Sequence, residues 1–224
     1  MEIIGLVKNS FVDYPGKISA VFFTPGCNFN CWYCHNESIL KETKGNYLEV
    51  NLILFLEERK ELLDAVVISG GEPTLQEDLP SFIRKIKNTG LLVKLDTNGT
   101  NPEMLEQLMK EKLVDYVAMD IKQTMDKYEK IVQVPVKIDK IRRSINLLIK
   151  GDVEYEFRTT LAPGISNADV EEMAKEITGA NAYYIQKYTP QKGEEDLDVH
   201  KKLVYHNALL LAQKYVKNAK LRGF

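Results

Sequence analysis

Apolar positions along the 224-residue chain recur with two alternating periods. Short apolar runs rich in β-branched and aromatic residues read as buried strands: Ile18–Thr24, Ala65–Ser69, Leu91–Asp96, Tyr116–Ile121, Tyr155–Leu161 and Ala182–Tyr188. Between them, apolar residues spaced three and four apart predict helices. One covers Asn51–Leu63 and a second covers Glu77–Asn88, with Leu79, Phe82, Ile83 and Ile86 on one face. A third starts at Asn101 as cap and Pro102 in the first turn, with Met104, Leu105, Leu108 and Met109 inward. A fourth carries Ile138, Ile141, Ile145 and Leu148 and can end at Gly151. A fifth is capped by Ser166 or Asn167 and bears Val170, Met173 and Ile177, and a closing helix runs over about 197–217.

Six strands in βα order predict an α/β fold with a parallel sheet covered by helices. No linker, repeat or low-complexity run divides the chain, so residues 1–224 are expected to form a single domain. Its core would span about 18–188, preceded by a loop over 1–17. The polar and glycine-rich pieces all follow strands: PGCNFNCWYCHN, SGGEPT, DTNGT, MDIKQ and RTTLAPG. Sites in such folds gather at the carboxyl ends of parallel strands. The five pieces are therefore expected to share one mouth.

Composition narrows the setting. Hydrophobic residues make up 44% and charged residues 28%, with a formal net charge of −2. Nothing in that balance draws the chain to nucleic acid or to an anionic membrane. No run approaches the ~18 apolar residues of a membrane span, and the first residues lack the basic flank and apolar core of a signal peptide. The three cysteines lie within eight positions, which is no disulfide framework. A reducing, cytoplasmic compartment is expected.

Those cysteines, Cys27, Cys31 and Cys34, have the spacing C-x3-C-x2-C. Thiolates suit zinc or iron–sulfur clusters. A zinc site would need His35 as fourth ligand, but adjacent residues such as Cys34 and His35 rarely bend toward one tetrahedral ion. A four-iron cluster held by three thiolates keeps one iron open, as a catalytic metal does. Phe29, Trp32 and Tyr33 would wall either site from water.

The motif, with an aromatic before its last cysteine and after a first strand, resembles the radical S-adenosylmethionine (SAM) superfamily over roughly Ile18 to Tyr188. The longer stretch SFVDYPGKISAVFFTPGCNFNCWYCHN is similar to the opening of the glycyl-radical-enzyme activating enzymes. Among these it looks most like the activating proteins of anaerobic ribonucleoside-triphosphate reductase. The resemblance implies a partial (β/α)6 barrel and a [4Fe-4S] cluster on Cys27, Cys31 and Cys34. It also implies reductive cleavage of SAM to a 5′-deoxyadenosyl radical, and hydrogen abstraction from a glycine of a partner enzyme. A flavodoxin- or ferredoxin-type electron donor would serve it, and no catalytic acid or base is needed.

By the same resemblance, Gly70, Gly71 and Glu72 in SGGEP bind SAM, with Glu72 toward its amino group. Tyr33, Asp120, Lys122, Arg158 and Gln186 would complete the SAM site, Arg158 toward the carboxylate. Asp96 and Thr97 in DTNG, with Asp120, would hold a monovalent cation. Asp13 in DYPG would touch the partner protein from a substrate-side loop. Read without the resemblance, SGGEP is a turn, DTNG an Asx turn, Arg158 an internal ion pair and DYPG a β-turn. One departure stands out, for Thr189 replaces a histidine of the pyruvate formate-lyase activators. His200 and His206, six apart, form no ligand pair, and the final LRGF reads as a tail.

Two other functions fit parts of the pattern. A small-molecule radical SAM enzyme such as a 7-carboxy-7-deazaguanine synthase shares GGEP, but typically has Cys-Asp after its last cysteine, where this chain has Cys-His. A non-catalytic zinc-binding protein fits only the cysteines.

Overall fold

The computed structural model describes residues 1–190 and 201–223. Eight strands form one sheet in chain order: β1 (Gly5–Ser10), β2 (Ser19–Thr24), β3 (Ala65–Gly70), β4 (Leu92–Thr97), β5 (Tyr116–Asp120), β6 (Glu154–Leu161), β7 (Tyr183–Lys187) and β8 (Ala219–Arg222). β1 runs antiparallel to β2, and every later pair is parallel. The six strands read from the sequence are the six in the middle, so the α/β parallel architecture holds.

The helices are α1 (Glu49–Arg59), α2 (Leu79–Asn88), α3 (Pro102–Lys110), α4 (Tyr128–Val132), α5 (Ile138–Lys150), α6 (Asn167–Glu176) and α7 (Lys201–Ala212). Local signals set their ends. The Asn101 side chain accepts from Met104 N at the start of α3. Ser166 caps α6 in a reciprocal capping box with Asp169. None of these helices is long and apolar enough to cross a membrane.

Alternation along the strands separates two faces. Val66, Ile68, Val93, Leu95, Val117, Met119 and Phe157 point outward into the main core, against α2, α3, α5 and α6. Val21, Ala65, Val67 and Tyr116 point inward with Tyr14. Strands β2 and β5 lie three places apart, about 14 Å if the sheet were flat. Tyr14, from the loop joining β1 to β2, still meets Tyr116 of β5 at 5.6 Å between ring centroids. The inner face is therefore concave.

Three expectations need correction. Residues 1–17 are not all loop, because Gly5–Ser10 pairs with β2 and Ile3 bridges Tyr47. The final LRGF is not all tail, because its Leu221 and Arg222 belong to β8, which pairs with β7 and carries Arg222 onto the inner face. Both are edge strands, half-exposed and short, so they lack the apolar run of a buried strand. Third, the closing helix ends at Ala212, where a turn carries the chain into β8. Residues 197–200 of the expected helix, and His200, lie outside the described residues; His206 is exposed.

Candidate active site

The site forms where β2 to β6 end. A cavity of about 200 Å³ is lined by Cys27, Cys31, Tyr33, Cys34, Ser69, Gly70, Gly71, Glu72, Asp96, Thr97, Asn98, Asp120, Lys122, Arg158 and Thr160 among others. All five strand-end pieces thus reach one mouth, as expected. Gln186 does not line this cavity; it pairs with Thr160 on the neighbouring strand. Thr189 is exposed. Asp13 is at the other end of the sheet. Ser10 pairs with Ser19 at the start of β2, five residues or about 17 Å of strand from Thr24, after which the cysteine loop begins.

The cysteine loop is held by its backbone. Gly26 N and Cys27 N donate to the carbonyls of Ile39 and Leu40, and Cys34 N donates to Cys31 O. The sulfur of Cys27 accepts from Phe29 N at 3.4 Å and from Asn98 Nδ2 at 3.9 Å. Burial pushes the Cys27 thiol up to about 12 and raises Cys31 as well. Such thiols ionise only beside a strong positive charge, which a cluster iron provides. Among the described residues no three His, Cys, Asp or Glu side chains converge to hold a single metal ion. Cys27, Cys31 and Cys34 all line the one cavity, as a cluster that gives each thiolate its own iron requires. His35 is exposed at the rim.

Trp32 and Tyr33 meet edge to face at 5.4 Å, and Tyr188 leans on both, at 6.0 and 6.4 Å. This aromatic wall buries the Tyr33 hydroxyl, which finds no hydrogen-bond partner among the described residues. Such a buried hydroxyl at a cavity wall fits a polar group of a ligand.

The two glycines of SGGEP have a reason beyond ligand approach. A Cβ on Gly71 would stand 1.8 Å from the Gly26 carbonyl oxygen, and one on Gly70 (φ +116°) 2.3 Å from Thr24 N. Only glycine lets this loop nest on the chain leading to Cys27, where Gly71 N and Glu72 N donate to Thr24 O and Gly26 O at 2.9 Å.

Glu72 is 1% exposed, and its carboxylate is heavily engaged. Oε1 accepts from Thr74 N (3.1 Å), Thr74 Oγ1 (2.6 Å) and Thr97 Oγ1 (2.8 Å), while Oε2 accepts from Asn98 N (2.6 Å). A carboxylate has about four lone-pair sites. Glu72 is thus a fastener between SGGEP and DTNG, with little capacity left for an ammonium group. Through Asn98 it reaches the Cys27 sulfur.

Charge fills the inner face beneath the cysteines. Asp120 accepts from Arg158 Nε at 2.8 Å and from Lys122 Nζ at 2.9 Å. Burial opposes its ionisation, but Arg158 and Lys122 outweigh this and hold its carboxyl well below the usual range. Burial likewise works against the Lys122 ammonium, and Asp120 keeps it protonated. One layer deeper, Arg222 of β8 grips Glu156 with two bonds of 2.6 and 2.7 Å and lies over the Tyr184 ring at 3.7 Å. Four cations (Lys94, Lys122, Arg158 and Arg222) thus pair with three carboxylates (Asp96, Asp120 and Glu156), while Glu72 is held by neutral donors. Arg158 and Lys122 are the two cations that line the cavity, and they are the groups suited to an anionic ligand group such as the SAM carboxylate.

Sequence reasoning missed Asn98, Lys94 and Arg222. Asn98 lay within DTNG, and Lys94 was visible as a lysine inside an apolar strand, two positions before an aspartate on the same face. For Arg222 no signal preceded the strand itself.

Comparison with known proteins agrees with this geometry. The radical SAM superfamily matches residues 21–177. A Methanocaldococcus jannaschii protein provisionally named a glycyl-radical enzyme activating enzyme is 40% identical over 234 residues, spanning 98% of this chain and 95% of its own. A second so named from that organism is 30% identical, over 95% of this chain and 83% of its own. Among solved structures, Streptococcus suis SuiB bound to its precursor peptide SuiA superposes with a TM-score of 0.70 at 14% identity, covering 91% of this chain. This chain spans about half of SuiB, 48% of its length, and the likeness is one of fold. The superfamily implies a [4Fe-4S] cluster and SAM, and the donor set fits both. The chain is an enzyme of the radical SAM superfamily.

Proposed function

We propose that this enzyme installs a glycyl radical on a partner enzyme, with anaerobic ribonucleoside-triphosphate reductase as that partner. The observation that carries the reading is the likeness, at 40% over nearly the whole of both chains, to a protein provisionally named as such an activator. Cys27, Cys31 and Cys34 would hold a [4Fe-4S] cluster with one open iron. When bound, cluster and SAM supply a one-electron reductive cleavage that yields a 5′-deoxyadenosyl radical, the abstractor of a glycine Cα hydrogen.

The chain's own residues position and shield. Tyr33, Trp32 and Tyr188 exclude water on one side. Arg158 and Lys122 would face the SAM carboxylate, and the Tyr33 hydroxyl would take a polar group of SAM. Gly70 and Gly71 let the SGGEP backbone sit beside the cysteine loop, and Glu72 fixes it there. Phe11 and Val12, 73% and 84% exposed beside Asp13, offer an apolar contact to a protein partner. A flavodoxin- or ferredoxin-type donor would deliver the electron in a reducing cytoplasm.

The test is anaerobic. Reconstituted, reduced enzyme with SAM should release 5′-deoxyadenosine, and adding the reductase should give a glycyl doublet by electron paramagnetic resonance. SAM cleavage with no doublet on any glycyl-radical enzyme would overturn the partner class.

A further inference from the structure

Asp96, Thr97 and Asp120 were expected to hold a monovalent cation, and in this chain they do not fit one. Asp96 Oδ1 accepts from Lys94 Nζ at 2.6 Å. Its Oδ2 accepts from Ser69 Oγ and from Arg158 Nη1, each at 3.2 Å. Both oxygens of Asp120 are taken by Arg158 and Lys122. The Thr97 hydroxyl is turned away, donating to Glu72 and accepting from Gly99 N at 3.1 Å. Three side-chain cations already serve the two carboxylates, so a further ion would have to compete with all three for the same oxygens.

Lys94 is the unusual member. It sits in β4 between Val93 and Leu95, which face the outer core, so its own side chain points inward with that of Asp96. It is 2% exposed, and a buried ammonium persists only when paired. Register places it between Val67 of β3 and Tyr116 of β5, both apolar-facing neighbours of the inner cluster. It does not line the cavity; Asp96 does. Its ammonium therefore approaches Asp96 from below, out of reach of a ligand in the cavity.

We propose that Lys94 is a tethered replacement for a dissociable monovalent cation. Its ammonium neutralises and orients Asp96, so that Arg158 stays poised at the SAM carboxylate and SAM binds independently of Na⁺ or K⁺. The inference deepens the reading of this cavity as the SAM site and rests on it.

The experiment measures the SAM dissociation constant of the cluster-loaded enzyme in choline chloride, NaCl and KCl at equal ionic strength. The wild type should vary less than about twofold among the salts. Lys94→Met, which keeps the buried stem and removes the charge, should bind about tenfold more weakly in choline and recover in KCl or NaCl. Tightening of the wild type by tenfold in KCl would overturn the proposal, and so would a Lys94→Met protein that binds SAM as tightly as the wild type in choline. Failure of the wild type to bind SAM in every salt would instead sink the assignment of the SAM site. The melting temperature of the cluster-free protein gives a second readout, raised by KCl for Lys94→Met only. Should that variant not fold, Lys94→Met/Asp96→Asn removes both charges and should fold with no preference among the salts. A preference for KCl in that double variant would also overturn the proposal.

Discussion

The two ends of the inner face are built from opposite materials. At the carboxyl ends, charged and polar groups crowd together: Asp96, Asp120, Lys122, Arg158 and the buried Glu72. At the amino ends, Tyr14 closes the floor against Val21, Ala65, Val67 and the Tyr116 ring. Charge borders this floor at Lys94, in register with Val67, and at Glu156, which accepts from the Tyr116 hydroxyl. Apolar closure is non-directional and tolerant; a hydrogen-bonded charge network is intolerant, because each lost partner strands another group. The difference implies that stability can be perturbed at the floor without touching chemistry, while at the mouth the two cannot be separated.

The largest effect should come from the cysteines. Cys34→Ala removes one of three thiolates, so the reconstituted protein should hold far less iron and release no measurable 5′-deoxyadenosine. Iron content and brown colour check this. A variant that kept both iron and activity would sink the cluster assignment.

Next in size is Glu72→Ala. It strips the acceptor from Thr74, Thr97 and Asn98, each in a buried setting. At about 1–3 kcal/mol per stranded donor, partly relieved by water, a loss of about 3 kcal/mol is expected. SAM affinity should fall with it, since the loop bearing Gly70 and Gly71 loses its tie to Asn98. Tyr14→Ala should lose a similar amount, about 3 kcal/mol, by truncating a buried aromatic. Its iron content and SAM cleavage per folded molecule should nevertheless match the wild type. Denaturant melts beside product assays separate the two outcomes, and a Tyr14→Ala enzyme inactive while folded would break the contrast between floor and mouth.

The contrast also explains what could be read from the chain. Buried strands and amphipathic helices announce themselves by period, and the mouth announced itself because glycine, cysteine and aspartate cluster after strands. The edges did not. GLVKNS and AKLR are half-solvated, so solvent rather than a core dictates their side chains. Roles within the mouth were legible as residue types but not as partners. Glu72 looked like an acceptor for a ligand and is occupied by the chain's own donors, while Lys94 looked like one polar residue in a strand. Strand alternation puts Lys94 and Asp96 on one face, but only the register of β4 shows that this is the inner face.

A smaller effect follows from protonation. Burial opposes the charge on Asp96 and Asp120, but Arg158, with Lys94 at the first and Lys122 at the second, lowers both carboxyls below their ordinary values. A carboxyl depressed in the folded state stabilises it fully above the unfolded value of about 3.9, and that contribution is lost as pH falls toward the native values. The network's contribution to the melting temperature should therefore be full and constant between pH 7 and 5 and decline below about 4. Asp120→Asn should flatten part of that decline while lowering stability at neutral pH. An identical acid limb in wild type and variant would show that other carboxylates set it.

The smallest change is expected from Asp13→Ala, and it tests the floor most sharply. The Asp13 carboxylate accepts from Ser10 Oγ at 2.5 Å, and Ser10 Oγ in turn accepts from the backbone N–H of Val12 and of Asp13, each at 3.2 Å. This is a local tie within a turn, half open to water, so its loss should lower stability by about 1 kcal/mol or less. SAM cleavage without a partner should be unchanged, because about 17 Å of strand separates the turn from the cysteine loop. If the exposed Phe11–Val12–Asp13 turn meets the partner enzyme, the glycyl-radical yield should drop several-fold while 5′-deoxyadenosine release persists. That uncoupling would assign the floor to recognition and leave the mouth to chemistry. Equal radical yields in wild type and variant would leave Asp13 with the structural role its hydrogen bonds already describe.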